Sequence, residues 1–458
     1  MQSSIDAQAQ AHFDRVIADG GLVPSGLSGV NAFFTTVKTI YATSDITTAI
    51  SVGLDAQVLG YKLGAGAGTT AGQAAQKLYS CSGASGDVVQ TTAASQPLLL
   101  VHEGANYWWG SGVSGNFIQT VQTYSFDSFV NQTTLSFQDT GYSNIFNYGT
   151  QGANSAFSLN YSKSLNRFSI VLYAPSFTEL NFNYTLNTNQ QYSIRTTRNS
   201  TNGSIVIELL IGSTWTSIYS TTSSTGALSN KGRWLMGAFS TAFWTLGKVY
   251  RSITYDLSNN ILLDFNPNQY NAANSQTQWT SSTGEVWSIN TGTATTGYKG
   301  QLVDRTIVQG DRIGDSMTSG TLASRQYFTS YSAHRFLTYN GDGPLYSGGS
   351  TSHILYTGLS TQVAFNGANL NSGNSSPLTN LATIDFNSTT SKIRINAGAD
   401  VSGNSGTQTS TDLKIFVYLG TQFGNANLNT LIQTRSINTD AQKTAMYNYI
   451  RSINGNSF

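Results

Sequence analysis

Few side chains in this sequence could do chemistry, and their spacing narrows the choice. Gly314-Asp315-Ser316-Met317-Thr318 sets a serine among glycine and aspartate, where acyl transfer would want a nucleophile. Such a serine needs a buried strand before it and a histidine base held by a carboxylate. Gln309-Gly310-Asp311-Arg312 does not read as a buried strand, and the residues three before His334 and His353 are Tyr331 and Ser350. Glycoside hydrolysis needs two carboxylates across the scissile bond. The glutamates Glu103, Glu179, Glu208 and Glu285 are each isolated from other carboxylates, and Asp311 and Asp315 flank a glycine-containing turn. No catalytic residue is assigned, and an enzyme is not expected. His12, His102, His334 and His353 lack metal-ligand spacing, so no metal ligand is assigned either. No cofactor is expected. A structural calcium is the one ion left open, with oxygens from Asp311 and Asp315 or from Asp342. Gly64-Ala65-Gly66-Ala67-Gly68 lacks the Gly-Lys-Ser/Thr ending of a phosphate loop.

Aromatic side chains offer a different chemistry. Sugars lay their C–H faces on exposed indole and phenol rings. Tyr107, Trp108 and Trp109 are consecutive, and Trp215, Trp279 and Trp287 lie in or near turn signals. Trp108, Trp109 and Trp215 are the candidate glycan contacts. Adjacent strand residues point to opposite faces, so one of Trp108 and Trp109 must pack inward if the segment is a strand.

The elements that must position these residues are mostly strands. Period-two alternation runs through Phe157–Tyr161, Phe182–Leu186 and Val249–Tyr255. Ile205–Ile211, Gly212-Ser213-Thr214 and Trp215–Tyr219 read as a hairpin. Further strands are expected at Leu98–Val101, Phe336–Tyr339, Ile354–Tyr356, Gln362–Phe365, Ile393–Ile395 and Leu413–Leu419. Helical spacing marks residues 4–18, with Gly20 and Gly21 as the stop, and Leu27–Tyr41. Residues 45–59 are ambiguous, because β-branched residues and Gly53 interrupt them. A last helix follows Thr439 or Asp440, either of which could cap it.

Composition sets the outer bounds. The chain has 458 residues, enough for about two to four domains. Charged residues are 10% of it, against roughly 25% in an ordinary globular protein. The net charge is +1 with no basic run, which argues against nucleic acid as a partner. No apolar stretch approaches the length of a membrane span, and Met1–Asp6 lacks the basic and apolar regions of a signal peptide. Cys81 is the single cysteine and is expected to be buried.

Several segments also carry a family resemblance. Pro97-Leu98-Leu99-Leu100-Val101-His102, Asn106-Tyr107-Trp108-Trp109 and Gly112-Val113-Ser114-Gly115-Asn116-Phe117 form one block. Gly247-Lys248-Val249-Tyr250-Arg251 before Leu263-Asp264-Phe265-Asn266-Pro267 forms a second. Leu54-Asp55-Ala56-Gln57 and the terminal Tyr447-Asn448-Tyr449-Ile450 helix complete the set. The sequence resembles structural proteins of tailed phages infecting Bacteroidetes, which carry laminin-G-like or concanavalin-A-like lectin domains. The resemblance implies a mainly β chain with two such β-sandwich (jelly-roll) domains, a short helical N-terminal segment and a C-terminal helix. Residues 1–110 would be the helical attachment segment and Gly/Ala-rich connector, 111–298 the first sandwich and 299–458 the second. It further implies a virion component, as tail fibre, spike, head fibre or capsid decoration, made in the host cytoplasm without a signal peptide. Its partners would be other virion proteins, further copies of itself (fibres and spikes often form trimers) and a host-surface polysaccharide. The alternatives are a purely structural virion role without a ligand, and a polysaccharide depolymerase on the same fold.

Overall fold

The computed structural model describes residues 4–64, 73–138, 141–149, 155–174, 176–222, 225–240, 243–270, 277–291, 298–337, 343–348, 352–357, 361–372, 379–418 and 422–455. The chain is mainly β, with antiparallel sheets and helices near both ends. It divides into two compact units. One comprises residues 102–294 and 299–304; the other comprises 1–101, 295–298 and 305–458.

This division differs from the expected 1–110, 111–298 and 299–458. Residues 1–101 are built into the unit that holds 305–458 and do not stand apart as an attachment segment. The reason is strand pairing between distant stretches. Ile50–Asp55 pairs with Ala426–Thr434, in register Leu54 to Leu431. Leu98–Leu100 pairs with Ile307–Gln309. A buried ion pair adds to the closure. Arg305 donates from Nη2 to both carboxylate oxygens of Asp55, at 2.8 and 2.9 Å, and Thr430 Oγ1 donates to Asp55 Oδ2 at 2.6 Å.

The helices of this terminal-segment unit follow the expected spacing. Ala7–Ala18 starts at Asp6, whose side chain accepts from the amides of Gln8 and Ala9. Gly26–Tyr41 buries Val30, Phe33, Phe34 and Val37 along one face. Asp440–Ile453 is capped by Thr439, which forms a reciprocal capping box with Gln442. These helices share a core with Tyr331, Ala333, Leu381 and Ile432. The neighbouring residues Ala382 and Leu431 point into a second core. Strand alternation thus leaves the central strands, Phe328–Phe336, Thr379–Phe386 and Ala426–Thr434, covered on both faces. The ambiguous stretch 45–59 opens with a single helical turn, Ile46–Ala49, capped by Asp45, and continues as Ile50–Asp55.

Three strand expectations shift. Leu413–Leu419 is broken into Lys414–Ile415 and Val417–Tyr418, because Phe416 takes φ 61° and sets its ring beside Gly310; Leu419 lies outside the described residues. The strand expected at Phe336–Tyr339 lies earlier, at Phe328–Phe336. The one expected at Phe182–Leu186 is Phe177–Asn183. Most of Gly64–Gly68, and Asp342, lie outside the described residues.

The unit of residues 102–304 is a sandwich of two sheets. The first runs, in spatial order, Phe177–Asn183, Arg167–Tyr173, Ser155–Ser162, Tyr142–Gly149, Trp234–Met236, Asn116–Thr120, Val286–Thr291 and Gln278–Thr280. The second runs Thr214–Thr221, Ser204–Ile211, Gln191–Asn199, Phe129–Phe137, Leu246–Tyr255, Tyr107–Ser111 and Gln301–Val303, with Ile261–Phe265 also paired to Leu246–Tyr255. Ser204–Ile211 and Thr214–Thr221 form the expected hairpin, with Gly212 at φ 64° in the turn. The facing sides interlock through rings. Phe129 meets Trp234 and Phe157 edge-on at 5.4 and 5.3 Å, and Phe146 stacks on Trp234 at 4.9 Å. One polar cluster sits inside this core. Asn131 Nδ2 donates to Ser252 Oγ and Thr254 Oγ1, and Thr133 Oγ1 donates to Asn131 Oδ1, which links Phe129–Phe137 to Leu246–Tyr255.

Candidate functional site

The residues singled out in the sequence fall into very different surroundings. Trp108 and Trp109 lie on Tyr107–Ser111, where every residue is buried, and both are 0% exposed. Trp108 belongs to the sandwich core, and its ring sits so close to Gly237 that a Cβ there would lie 2.2 Å from it. Trp109 donates from Nε1 to Gln138 Oε1 at 2.9 Å. Neither indole offers a face to a sugar, so both are packing residues and not the glycan contacts expected. Trp279 and Trp287 are buried in the same core. Trp215 is half-exposed. It pairs with Leu210 on the outward side of the second sheet, beneath the Arg195 guanidinium at 4.6 Å. Arg195 is in turn paired with Glu208 across the strands.

The candidate chemical residues are committed elsewhere. Ser316 accepts from Gln90 Nε2 at both its Oγ and its carbonyl, at 3.0 Å each. His353 bonds with Ser410 and the Gln326 carbonyl; His334 bonds with Gln362 and the Ser332 carbonyl. Burial holds both imidazoles below their usual pKa, His334 near about 4 and His353 near about 3. Asp311 Oδ1 accepts from the amides of Ile313 and Gly314, which closes the turn on itself. Asp315 is buried, accepting from Tyr298 Oη at 2.9 Å and the Asp311 amide at 3.1 Å. Burial first, and the Asp311 charge second, push the Asp315 carboxyl up to about 8. Among the described residues no group of three or more His, Cys, Asp or Glu could hold a metal ion. Glu285 accepts from the Asp264 amide and from Thr283, and Glu103 accepts from Lys248 and Tyr250.

The sandwich presents a different site, on the outward side of its first sheet. Directly paired residues share a face. Ser158 pairs with Asn147, Asn147 with Leu235, Leu235 with Gln119 and Gln119 with Ser288. This row crosses five strands opposite the ring-filled core side, where Trp234 pairs with Tyr148 and Tyr148 with Phe157; within it Ser158, Asn147 and Leu235 are buried, and Gln119 and Ser288 are half-exposed. One position along, Phe117 pairs with Asn290 on the same outward face. A cleft of about 510 Å³ opens over the middle of this face, lined by Phe117, Gln119, Thr123, Gly149, Lys231, Gly232, Arg233 and Leu235. Its size falls in the range of small-molecule sites, roughly 300–1,000 Å³.

Two glycines shape the rim. Gly149 has φ 100°, and a Cβ there would lie 2.2 Å from the Asn230 carbonyl. A Cβ on Gly232 would come within 3.3 Å of the Gly149 Cα. The Gly149 amide donates to the Arg233 carbonyl at 2.8 Å, and the Tyr124 amide donates to the Gly232 carbonyl at 2.7 Å. The backbone of 230–233 is thereby pressed against the end of Tyr142–Gly149, with Lys231 and Arg233 both at the cleft. Lys231 is neutralised by Asp127 at 2.7 Å. Burial alone would raise the Asp127 carboxyl, but the Lys231 ammonium and the Leu228 amide hold it below its usual range. Arg233 is exposed, and its guanidinium has no ion pair or hydrogen bond among the described residues. The sequence did place Phe117 in a block bearing the resemblance. The remaining signal was Lys231-Gly232-Arg233, two cations around a glycine in a chain with few charges.

No family model and no curated protein matches this chain. Solved structures similar to it include the LG4-5 domains of mouse laminin α1, at 9% identity over 74% of this chain and 94% of that one, with a TM-score of 0.30. A heptameric pentraxin from Limulus polyphemus is 12% identical over 36% of this chain and 80% of that one, with a TM-score of 0.29. A galectin from Caenorhabditis elegans is 10% identical over 33% of this chain and 99% of that one, with a TM-score of 0.22. At these scores the likenesses carry no argument about function, which rests on the chain's own side chains.

Proposed function

We propose that this chain is a non-catalytic glycan-binding protein that holds sugars in the cleft on the outward face of the first sheet. The observation that carries the reading is the cleft itself. It joins a half-exposed ring, Phe117, to an amide, a hydroxyl and a free guanidinium on Gln119, Thr123 and Arg233. A sugar needs both kinds of surface, an apolar plane for its C–H face and fixed donors and acceptors for its hydroxyls. The described lining has no carboxylate, and hydrolysis would call for two. Binding fits this composition better than cleavage.

In the finer reading, which rests on the sequence resemblance, the chain is a structural component of a phage virion. It displays its domains outward in several copies, so that weak sites multiply into firm adhesion to host polysaccharide. A glycan array probed with the full chain, followed by titration of the best hit against wild type and Phe117→Ala, tests the cleft. Loss of binding in Phe117→Ala supports the site. Binding untouched by Phe117→Ala but lost in Trp215→Ala would move the site to the opposite outer face of the sandwich. Imaging of purified phage particles tests the finer reading, which fails if the chain has no place on the particle.

A further inference from the structure

We infer that the cleft selects acidic sugars, binding the carboxylate of a uronic- or sialic-type residue on Arg233. This deepens the glycan-binding reading and rests on it. Two cations line the cleft and the described lining holds no anion. Lys231 spends its charge on Asp127 at 2.7 Å. Arg233 spends its charge on nothing among the described residues, which leaves one uncompensated positive charge at the rim. That is notable in a chain with 23 cations against 22 anions and only 10% charged residues.

The geometry of the pair of glycines gives the charge a fixed root. The Arg233 carbonyl is held by the Gly149 amide and the Gly232 carbonyl by the Tyr124 amide, so the backbone below the guanidinium is pinned at two successive peptides. A guanidinium fork matches a carboxylate in a planar, two-bond arrangement that an ammonium cannot copy. Phe117 and Gln119 lie on the adjacent strand Asn116–Thr120, two residues apart and on one face. A pyranose laid on the Phe117 ring would turn its hydroxyls toward Gln119 and Thr123 and its carboxylate toward Arg233. Lys231, already paired, would add field but no direct bond.

The test is calorimetric titration of the full chain with matched oligosaccharides: one carrying a uronic or sialic acid, the same compound with its carboxyl reduced to the alcohol, and a sulfated neutral analogue. The acidic form is expected to bind about tenfold or more tightly than the reduced one, the order expected of a charge-assisted hydrogen bond. Arg233→Gln should make the two affinities equal, and Arg233→Lys should restore only part of the preference. Because Arg233 is exposed and holds the fold through its carbonyl, both variants should keep the wild-type unfolding midpoint. Equal binding of acidic and reduced forms, with both lost in Phe117→Ala, would overturn the acidic preference and leave the glycan site standing. Tight binding of the sulfated analogue alone would overturn the carboxylate assignment. Binding of no form, or binding unaffected by Phe117→Ala, would remove the cleft reading and this inference with it.

Discussion

The two units solve the problem of covering a sheet in opposite ways. In the unit of residues 1–101 and 305–458, the central strands bury one face under the helices and the other in a second core. In the unit of residues 102–304, each sheet gives one face to the shared core; the other face of the first sheet is buried at Ser158, Asn147 and Leu235 and half-exposed at Phe117 and Gln119. The difference teaches where a ligand could act. A strand covered on both faces has no side chains left to offer, whereas Asn116–Thr120 keeps a ring and an amide half-exposed at the cleft that Arg233 also lines. Both units bury ionisable groups, Asp55, Arg305, His334, His353 and Asp315 in the first and Arg198, Asp264, Glu285 and Lys299 in the second. The second is the one with the cleft.

The largest effects expected are on stability, and they should be confined to one unit each. Asp55→Ala strands the buried Arg305 guanidinium and should destabilise the terminal-segment unit by about 3–5 kcal/mol. Trp108→Ala should remove a comparable amount, about 3–5 kcal/mol, from the sandwich by opening a cavity in its core. Calorimetry reads both. Two transitions, each moved by its own variant alone, would sharpen the comparison; a single transition moved by both would break it.

The next effect is a pH dependence in the terminal-segment unit. His334 and His353 are held neutral, with folded pKa values near about 4 and about 3 against 6.5 when free. The unfolded chain therefore binds more protons in this window, so stability is full above about pH 6.5 and falls as the pH drops toward 4. Asp315 works in the other direction. Its folded value is raised to about 8 from 3.8, so its contribution is full below 3.8 and is lost as the pH rises through 8. Asp315→Asn keeps acceptors for Tyr298 and the Asp311 amide and should flatten the alkaline side of the unfolding-midpoint profile. An unchanged slope there would show that Asp315 is already ionised in the fold.

The smallest expected stability effect is that of Phe117→Ala. The ring is only half-buried, so the loss should be about 1 kcal/mol, well below that of Trp108→Ala. Its effect on sugar binding should be complete. A loss of several kcal/mol would mean that Phe117 packs the sandwich and that the outward face is not free.

Much of the fold was legible because local chemistry and global structure agree there. Thr439 and the Val30, Phe33, Phe34, Val37 stripe sit where capping and helical periodicity put them. The hairpin through Gly212 follows from a turn residue between two apolar runs. Other features were illegible for stated reasons. Phe416 has the composition of a strand residue, and only its contact with Gly310 explains the left-handed break. Trp108 and Trp109 looked available because tryptophan is both a good sugar platform and a good core residue, and local sequence does not say which. Of the three glycan candidates, only Trp215 keeps an exposed face.

The sequence by itself determined the class of this protein: many short strands, few charges and helices near both ends. It could do so because period, capping and turn chemistry act between residues a few positions apart. The tertiary structure alone decided that residues 1–101 close onto 305–458, since that depends on registers such as Leu54 to Leu431. It alone decided that Phe117, Gln119, Gly149 and Arg233 meet around one cleft. Phe117 and Gln119 lie on one strand, Gly149 at the end of another and Arg233 just before a third, and only pairing across the sheet brings them together.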